Sequence, residues 1–89
     1  MKILWSDRAW EDSLTWQKTD PDTLARVNAL IKEVRRTPFT GLGKPEPLRG
    51  NLKGWWPRRI TDTHSLVCRV GGRDADQTIE IAQCRRHHE

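Results

Sequence analysis

A single carboxylate among cations is the first feature of this 89-residue sequence that could do chemistry. Glu46 lies between Pro45 and Pro47, which stiffen its backbone and limit the directions in which the carboxylate can point. The surrounding stretch of residues 43–60 contains the cations Lys44, Arg49, Lys53, Arg58 and Arg59. Two tryptophans at positions 55 and 56 accompany them, and cations mixed with aromatic rings are typical of surfaces that bind nucleic acid. The alternative interpretation is a solvated loop followed by a basic strand.

A second group of candidate side chains lies at the chain end: Arg85, Arg86, His87 and His88. If residues 71–76 form the turn between the last two strands, residues near 65 lie opposite residues near 84. That pairing brings the chain end beside the strand carrying Arg58 and Arg59. A frayed and solvated tail is the alternative interpretation of the two histidines.

Together these groups would suffice to cleave RNA without a metal. A general base takes the proton of a ribose 2′-hydroxyl, cations stabilise the charged phosphorane, and a general acid protonates the leaving 5′-oxygen. A histidine suits the acid role because it titrates near neutral pH. Guanidinium forks match phosphate oxygens. The sequence therefore offers an inventory for metal-free phosphodiester cleavage and implies no cofactor.

The composition narrows the class of protein. The formal net charge is +4 and the excess lies in the stretch around Glu46, which favours a polyanionic partner or an acidic protein partner. Cys68 and Cys84 are too few for a disulfide framework, and no Cys/His set has the spacing of zinc ligands. The sequence shows neither a signal peptide nor an apolar run long enough to span a membrane. We expect a cytoplasmic protein with reduced thiols and no membrane partner.

The elements that must position these groups begin with a strand over residues 2–5. Ser6 is a suitable N-cap for a first helix, and Asp20-Pro21 begins a second helix that ends before Pro38. The second helix has an apolar stripe: Leu24, Val27, Ile31 and Val34. The tryptophans of this half, Trp5, Trp10 and Trp16, are expected to pack in the core.

From residue 48 onward the apolar pattern takes the period of strands. We predict strands over residues 48–52, 55–61, 64–70 and 78–85, joined by short turns that favour antiparallel pairing. The whole chain, residues 1–89, is then one domain of the α+β class. Its order is β-α-α-β-β-β-β, with a curved antiparallel sheet and the helical hairpin on one face.

Several segments closely resemble the Txe/YoeB toxins in order and spacing. They are Ile3-Leu4-Trp5-Ser6, Lys44-Pro45-Glu46-Pro47-Leu48, Gly54-Trp55-Trp56-Pro57-Arg58-Arg59-Ile60, Leu66-Val67 and Cys84-Arg85-Arg86-His87-His88. The resemblance implies a RelE-like fold and the toxin half of a type II toxin–antitoxin pair. It implies a metal-independent endoribonuclease that cleaves mRNA in the ribosomal A site. The partner implied is an acidic antitoxin of the YefM/Phd type, and a second copy of the chain is a further candidate partner.

The resemblance also assigns roles to individual residues. Glu46 matches the general base and His87 the general acid, with His88 as a further catalytic candidate beside it. Phosphate contacts are expected from Lys44, Arg49, Arg58, Arg59 and the residue at position 65.

Position 65 departs from the family pattern, because the family has an arginine where this chain has Ser65. The family also ends in His-Tyr, whereas here His87 is followed by His88 and Glu89. A serine cannot replace a bidentate guanidinium at a scissile phosphate. The alternative function is therefore an attenuated toxin that binds antitoxin or ribosome and cleaves poorly, unless Arg58, Arg69 or Arg86 compensates. A DNA-binding protein is disfavoured because neither helix carries a basic stripe.

Overall fold

The computed structural model describes residues 2–41, 43, 45 and 53–86. Two helices and four strands make up this part of the chain. In chain order they are β1 (Lys2–Trp5), α1 (Asp7–Thr19), α2 (Pro21–Arg36), β2 (Trp56–Arg59), β3 (Ser65–Gly71) and β4 (Thr78–Gln83). A short 3-10 turn, Asp74–Asp76, lies between β3 and β4. The strand predicted over residues 48–52 lies outside the described residues.

Both helices begin where the capping residues predict. The Ser6 hydroxyl accepts the Ala9 N–H at 3.0 Å, and the Asp20 carboxylate accepts the Thr23 N–H at 3.2 Å. Each cap satisfies a backbone donor that has no partner within the first helical turn. The second helix ends at Arg36, since Thr37 precedes a proline and has left the helical region.

The four strands form one sheet in the order β1-β4-β3-β2. Pairing of β4 with β3 and of β3 with β2 is antiparallel, as expected, but β1 pairs parallel to β4 in the register Ile3↔Ile79. The α+β class is confirmed, whereas the sheet is mixed rather than wholly antiparallel. The parallel direction brings Ser6 to the end of β4, where its N–H donates to the Ile81 carbonyl at 3.0 Å and its hydroxyl donates to the Ala82 carbonyl at 2.7 Å.

The helices pack against one face of this sheet and enclose the core. Its buried members are Ala9, Trp16, Val27, Leu30, Ile31, Val34, Ile60, Leu66, Cys68, Ile79, Ile81 and Cys84. Trp16 is buried and Trp5 packs against this cluster, as predicted. The prediction was wrong for Trp10, which is 50% exposed. Its ring meets that of Trp5 edge-on, with the ring centroids 6.2 Å apart. Within the described residues, neither helix has the length and hydropathy that crossing a membrane requires.

Candidate nucleic-acid interface

The sheet has a second face, turned away from the helices, which we call the outer face. Side chains alternate along a strand, so the burial of Leu66 and Cys68 in the core turns Ser65, Val67 and Arg69 toward the outer face. Arg59 pairs with Ser65 and therefore lies on the same face. The outer face therefore carries Arg59 and Ser65, two of the predicted phosphate contacts.

Arg59 and Ser65 are directly opposite each other in the pairing of β2 with β3. The Cβ atoms of such cross-strand partners lie about 5 Å apart. Arg59 is exposed, whereas Ser65 is only 8% exposed. Within the described residues, Arg59 takes part in no ion pair. The structure therefore brings two of the predicted phosphate-binding residues together, and one of them carries an exposed guanidinium.

The burial of Arg58 argues against its predicted contact with RNA. Arg58 pairs with Leu66 on the helix side of the sheet and is 0% exposed. Its guanidinium donates to the carbonyl of Thr37 and, at 3.0 Å, to that of Thr40. Burial lowers the pKa of Arg58 from its ordinary value, and the neighbouring acidic groups of Cys68 and Glu33 act against that shift. Arg58 therefore ties the segment after α2 to β2, and strand alternation explains why it and Arg59 face opposite sides.

Arg69, one of the arginines considered as a substitute at position 65, is engaged elsewhere. Its guanidinium bonds the Glu80 carboxylate at 2.8 Å and lies 4.4 Å from the centre of the Trp55 ring. Arg69 is also four residues along β3 from Ser65, a distance of about 13 Å at the usual rise of a strand. Neither Arg58 nor Arg69 is therefore placed to supply the missing guanidinium, and Arg86 is the remaining neighbour.

Cys84 and Arg86, the described residues that lead into the chain end, are bonded to the rest of the fold. Cys84 is fully buried, its N–H donates to Asp12 at 3.1 Å, and its carbonyl accepts the Trp16 indole N–H at 2.8 Å. Arg86 has a φ of +68°, and its N–H donates to His64 Nδ1 at 2.7 Å. The predicted pairing of residues near 65 with those near 84 is confirmed, because the Ser65 N–H donates to the Arg86 carbonyl at 2.9 Å.

Sequence reasoning missed the contributions of Asp12 and His64 to this anchoring. Asp12 is one polar residue among several on α1, and its buried contact to Cys84 joins residues far apart in sequence. His64 is the first residue of the predicted strand over residues 64–70, which was expected to lie opposite residues near 84, and that position was the available clue.

Five predicted site residues lie outside the described residues and stay predictions. They are Lys44, Glu46, Arg49, His87 and His88. Among the described residues, no group of three or more His, Cys, Asp or Glu side chains has the arrangement of a metal site.

Known proteins share both the sequence and the architecture of this chain. The sequence profile of a family described as a YoeB-like toxin of bacterial type II toxin–antitoxin systems matches residues 5–88. Toxin YoeB of Escherichia coli K12 is 51% identical over 88 residues, which cover 99% of this chain and 100% of that protein. The YoeB/ParE toxin from Agrobacterium tumefaciens superposes with a TM-score of 0.97 at 48% identity, covering 99% of this chain and 100% of that one.

The YoeB of Staphylococcus aureus has a related structure in two assemblies. Its dimer matches with a TM-score of 0.88 at 37% identity, and its complex with YefM with 0.85 at 36%, each covering 99% of this chain and 98% of that one. Fold and sequence together define a toxin of a bacterial type II toxin–antitoxin system. Within that class, the chain belongs to the YoeB-like toxin family.

Proposed function

We propose that this toxin is a metal-independent, ribosome-dependent endoribonuclease that cleaves mRNA in the ribosomal A site. The observation that carries the proposal is the Arg59–Ser65 pair on the outer face, next to the anchored backbone of Arg86. A phosphate beside Arg59 would lie close to the residues that lead into His87. The proposed site thus combines the exposed guanidinium of Arg59 with the bonded backbone of Arg86.

In this mechanism Glu46 takes the proton of the ribose 2′-hydroxyl, whose oxygen attacks the adjacent phosphorus. Arg59, with Lys44 and Arg49, stabilises the phosphorane, which carries more negative charge than the ground-state diester. His87 donates a proton to the leaving 5′-oxygen, and His88 is the neighbouring candidate for that role. The products are a 2′,3′-cyclic phosphate and a 5′-hydroxyl.

The test is a single-turnover assay on programmed ribosomes with a labelled mRNA. We expect cleavage at one position in the A-site codon, with a 2′,3′-cyclic phosphate on the upstream fragment. Replacing the ribose at that position with 2′-deoxyribose should abolish cleavage and leave mRNA placement unchanged. A 3′-hydroxyl product, or undiminished cleavage of the deoxy substrate, would contradict the mechanism.

A second candidate function is an attenuated toxin that occupies the ribosome or its antitoxin and cleaves poorly. Ser65 stands where the family has an arginine, and Arg58 and Arg69 are both committed to other partners. Tight ribosome binding with slow single-turnover cleavage would support this alternative over a fully active enzyme.

We also propose an acidic antitoxin of the YefM/Phd type as the cognate partner and a homodimer as an assembly. The YoeB–YefM complex and the YoeB dimer of the S. aureus relative support these two proposals. The net charge of +4 favours an acidic binding segment, so affinity should fall as salt is raised. Because the proposed substrate is mRNA on the translating ribosome, we propose that the toxin acts in the cytoplasm.

A further inference from the structure

The N–H and the carbonyl of Arg86 are bonded to two consecutive residues, His64 just before β3 and Ser65 at its start. His64 Nδ1 accepts the Arg86 N–H at 2.7 Å, and the Ser65 N–H donates to the Arg86 carbonyl at 2.9 Å. From this geometry we infer that His64 is a positioning residue, which fixes the backbone from which His87 extends. The inference rests on the proposed ribonuclease function and adds a residue that the mechanism above does not use.

The backbone of Arg86 needs such support because its φ of +68° lies in the left-handed region. For a residue with a Cβ this conformation costs about 1–2 kcal/mol, so it persists only where the surroundings hold it. The bonds to His64 and Ser65, with a third from Gln83 Nε2 to the Arg86 carbonyl at 3.3 Å, supply that support. Without His64, the backbone of Arg86 loses one of these bonds and can relax to negative φ.

The imidazole of His64 is itself held in place. Its ring meets the Trp16 ring edge-on, with the centroids 4.8 Å apart and the planes at 89°. Trp16 is fixed in turn by its indole N–H, which donates to the Cys84 carbonyl at 2.8 Å. Because the Arg86 N–H can only donate, Nδ1 of His64 must accept, which requires the tautomer with its proton on Nε2. The bonded ring is thus neutral, oriented by α1, and aimed at one backbone amide.

Positioning of this kind should matter for proton transfer. A general acid works within about 3 Å of the oxygen that it protonates, and a misplacement of about 1 Å can cost about a hundredfold in rate. His64 would influence cleavage through Arg86 and His87, without touching RNA. Its loss should therefore lower the rate of the chemical step and leave ribosome binding unchanged.

The experiment compares three substitutions of His64 in this chain and in its Ser65→Arg variant. His64→Asn keeps an acceptor at the δ1 position, His64→Gln moves the acceptor one carbon further out, and His64→Ala removes it. Val70→Ala is the control for lost stability, because it removes two methyl groups that pack against the core at the far end of β3. Single-turnover cleavage and equilibrium ribosome binding are measured for each.

We expect His64→Ala and His64→Gln to slow cleavage by about tenfold to a hundredfold, and His64→Asn to stay within about threefold of the parent. Ribosome affinity should be unchanged throughout, and Val70→Ala should cleave normally at a temperature where it is folded. Equal losses for His64→Asn and His64→Ala, or no loss for His64→Ala, would overturn the inference.

An NMR measurement separates failure of this inference from failure of the proposed function. In the parent protein, the short bond to His64 should shift the Arg86 amide proton downfield and slow its exchange with solvent. Both features should vanish in His64→Ala and survive in His64→Asn. If neither this chain nor its Ser65→Arg variant cleaves RNA, the proposed function fails. The Arg86 amide then still shows whether His64 holds the backbone of Arg86. An Arg86 amide that is unaffected by His64→Ala would overturn the inference even in an active ribonuclease.

Discussion

Arg59 and Ser65 face each other across β2 and β3 on the outer face, so a side chain installed at position 65 would lie beside an existing guanidinium. We expect Ser65→Arg to raise single-turnover cleavage by about a hundredfold, because a bidentate cation should stabilise the phosphorane more than the ground state. Ribosome binding should change little. The matched control is Thr63→Arg, which adds the same charge at an exposed turn nearby. Equal rates for the parent and the Ser65→Arg variant would mean that Arg86 already provides the contact.

Arg59 should contribute to activity and little to stability, since its side chain is exposed and forms no ion pair within the described residues. We expect Arg59→Ala to reduce cleavage by about a hundredfold and to change the free energy of unfolding by less than about 0.5 kcal/mol. Arg73→Ala removes an equivalent exposed charge in the turn before β4 and should leave cleavage intact. Equal losses for the two variants would point to net charge and not to a contact at Arg59.

Arg58 should show the opposite behaviour. Arg58→Ala removes a fully buried side chain and leaves the partly buried carbonyls of Thr37 and Thr40 without this donor, so we expect a loss of about 3 kcal/mol in the free energy of unfolding. Urea titration measures that loss. Cleavage per folded molecule should remain within a few-fold of the parent. A stable Arg58→Ala protein with abolished cleavage would restore Arg58 to the RNA-binding set.

Two buried thiols predict a loss of stability at alkaline pH. Burial raises the pKa of Cys68 from its ordinary 9.0 to about 11, and burial with the Asp12 carboxylate raises that of Cys84 to about 12. Above pH 9 the unfolded thiols ionise while the folded ones stay protonated, so the free energy of unfolding falls. The expected loss is about 1.5 kcal/mol per thiol between about pH 9 and pH 10.5.

Chemical denaturation of the parent and of Cys68→Ala, Cys84→Ala and the double variant measures this effect across the same pH range. Each substitution should make the free energy of unfolding fall less steeply with pH. The double variant should show only the pH dependence that the remaining titrating groups cause. An identical slope in all four proteins would show that the thiols do not cause the alkaline loss.

Local signals in the sequence predicted the local structure well. The Ser6 and Asp20 caps, Pro21 and Thr37-Pro38 define both helices, because capping and proline sterics involve only neighbouring residues. The parallel pairing of β1 was missed because its partner lies more than seventy residues away and an apolar run does not state its direction. Trp10 was misplaced for a related reason, since helical spacing does not specify which adjoining face the sheet covers.

The sequence named the residues of the candidate site but not the face of the sheet on which each one lies. Consecutive arginines at 58 and 59 were treated as one patch, although strand alternation must turn them to opposite faces. The anchoring of Arg86 by His64 depends on a bond between residues 22 positions apart, which only the assembled sheet brings into contact.

The order of the strands has a consequence for synthesis of the toxin. The first strand to leave the ribosome, β1, pairs only with β4 in the described sheet, and β4 is the last of the four to be made. Contacts between such distant segments form slowly and require both ends of the chain to be present. A nascent toxin therefore cannot complete the described sheet until all four strands, β4 included, have been synthesised. The shape proposed to attack ribosomes thus forms only after the ribosome has made the strand that pairs with the first one.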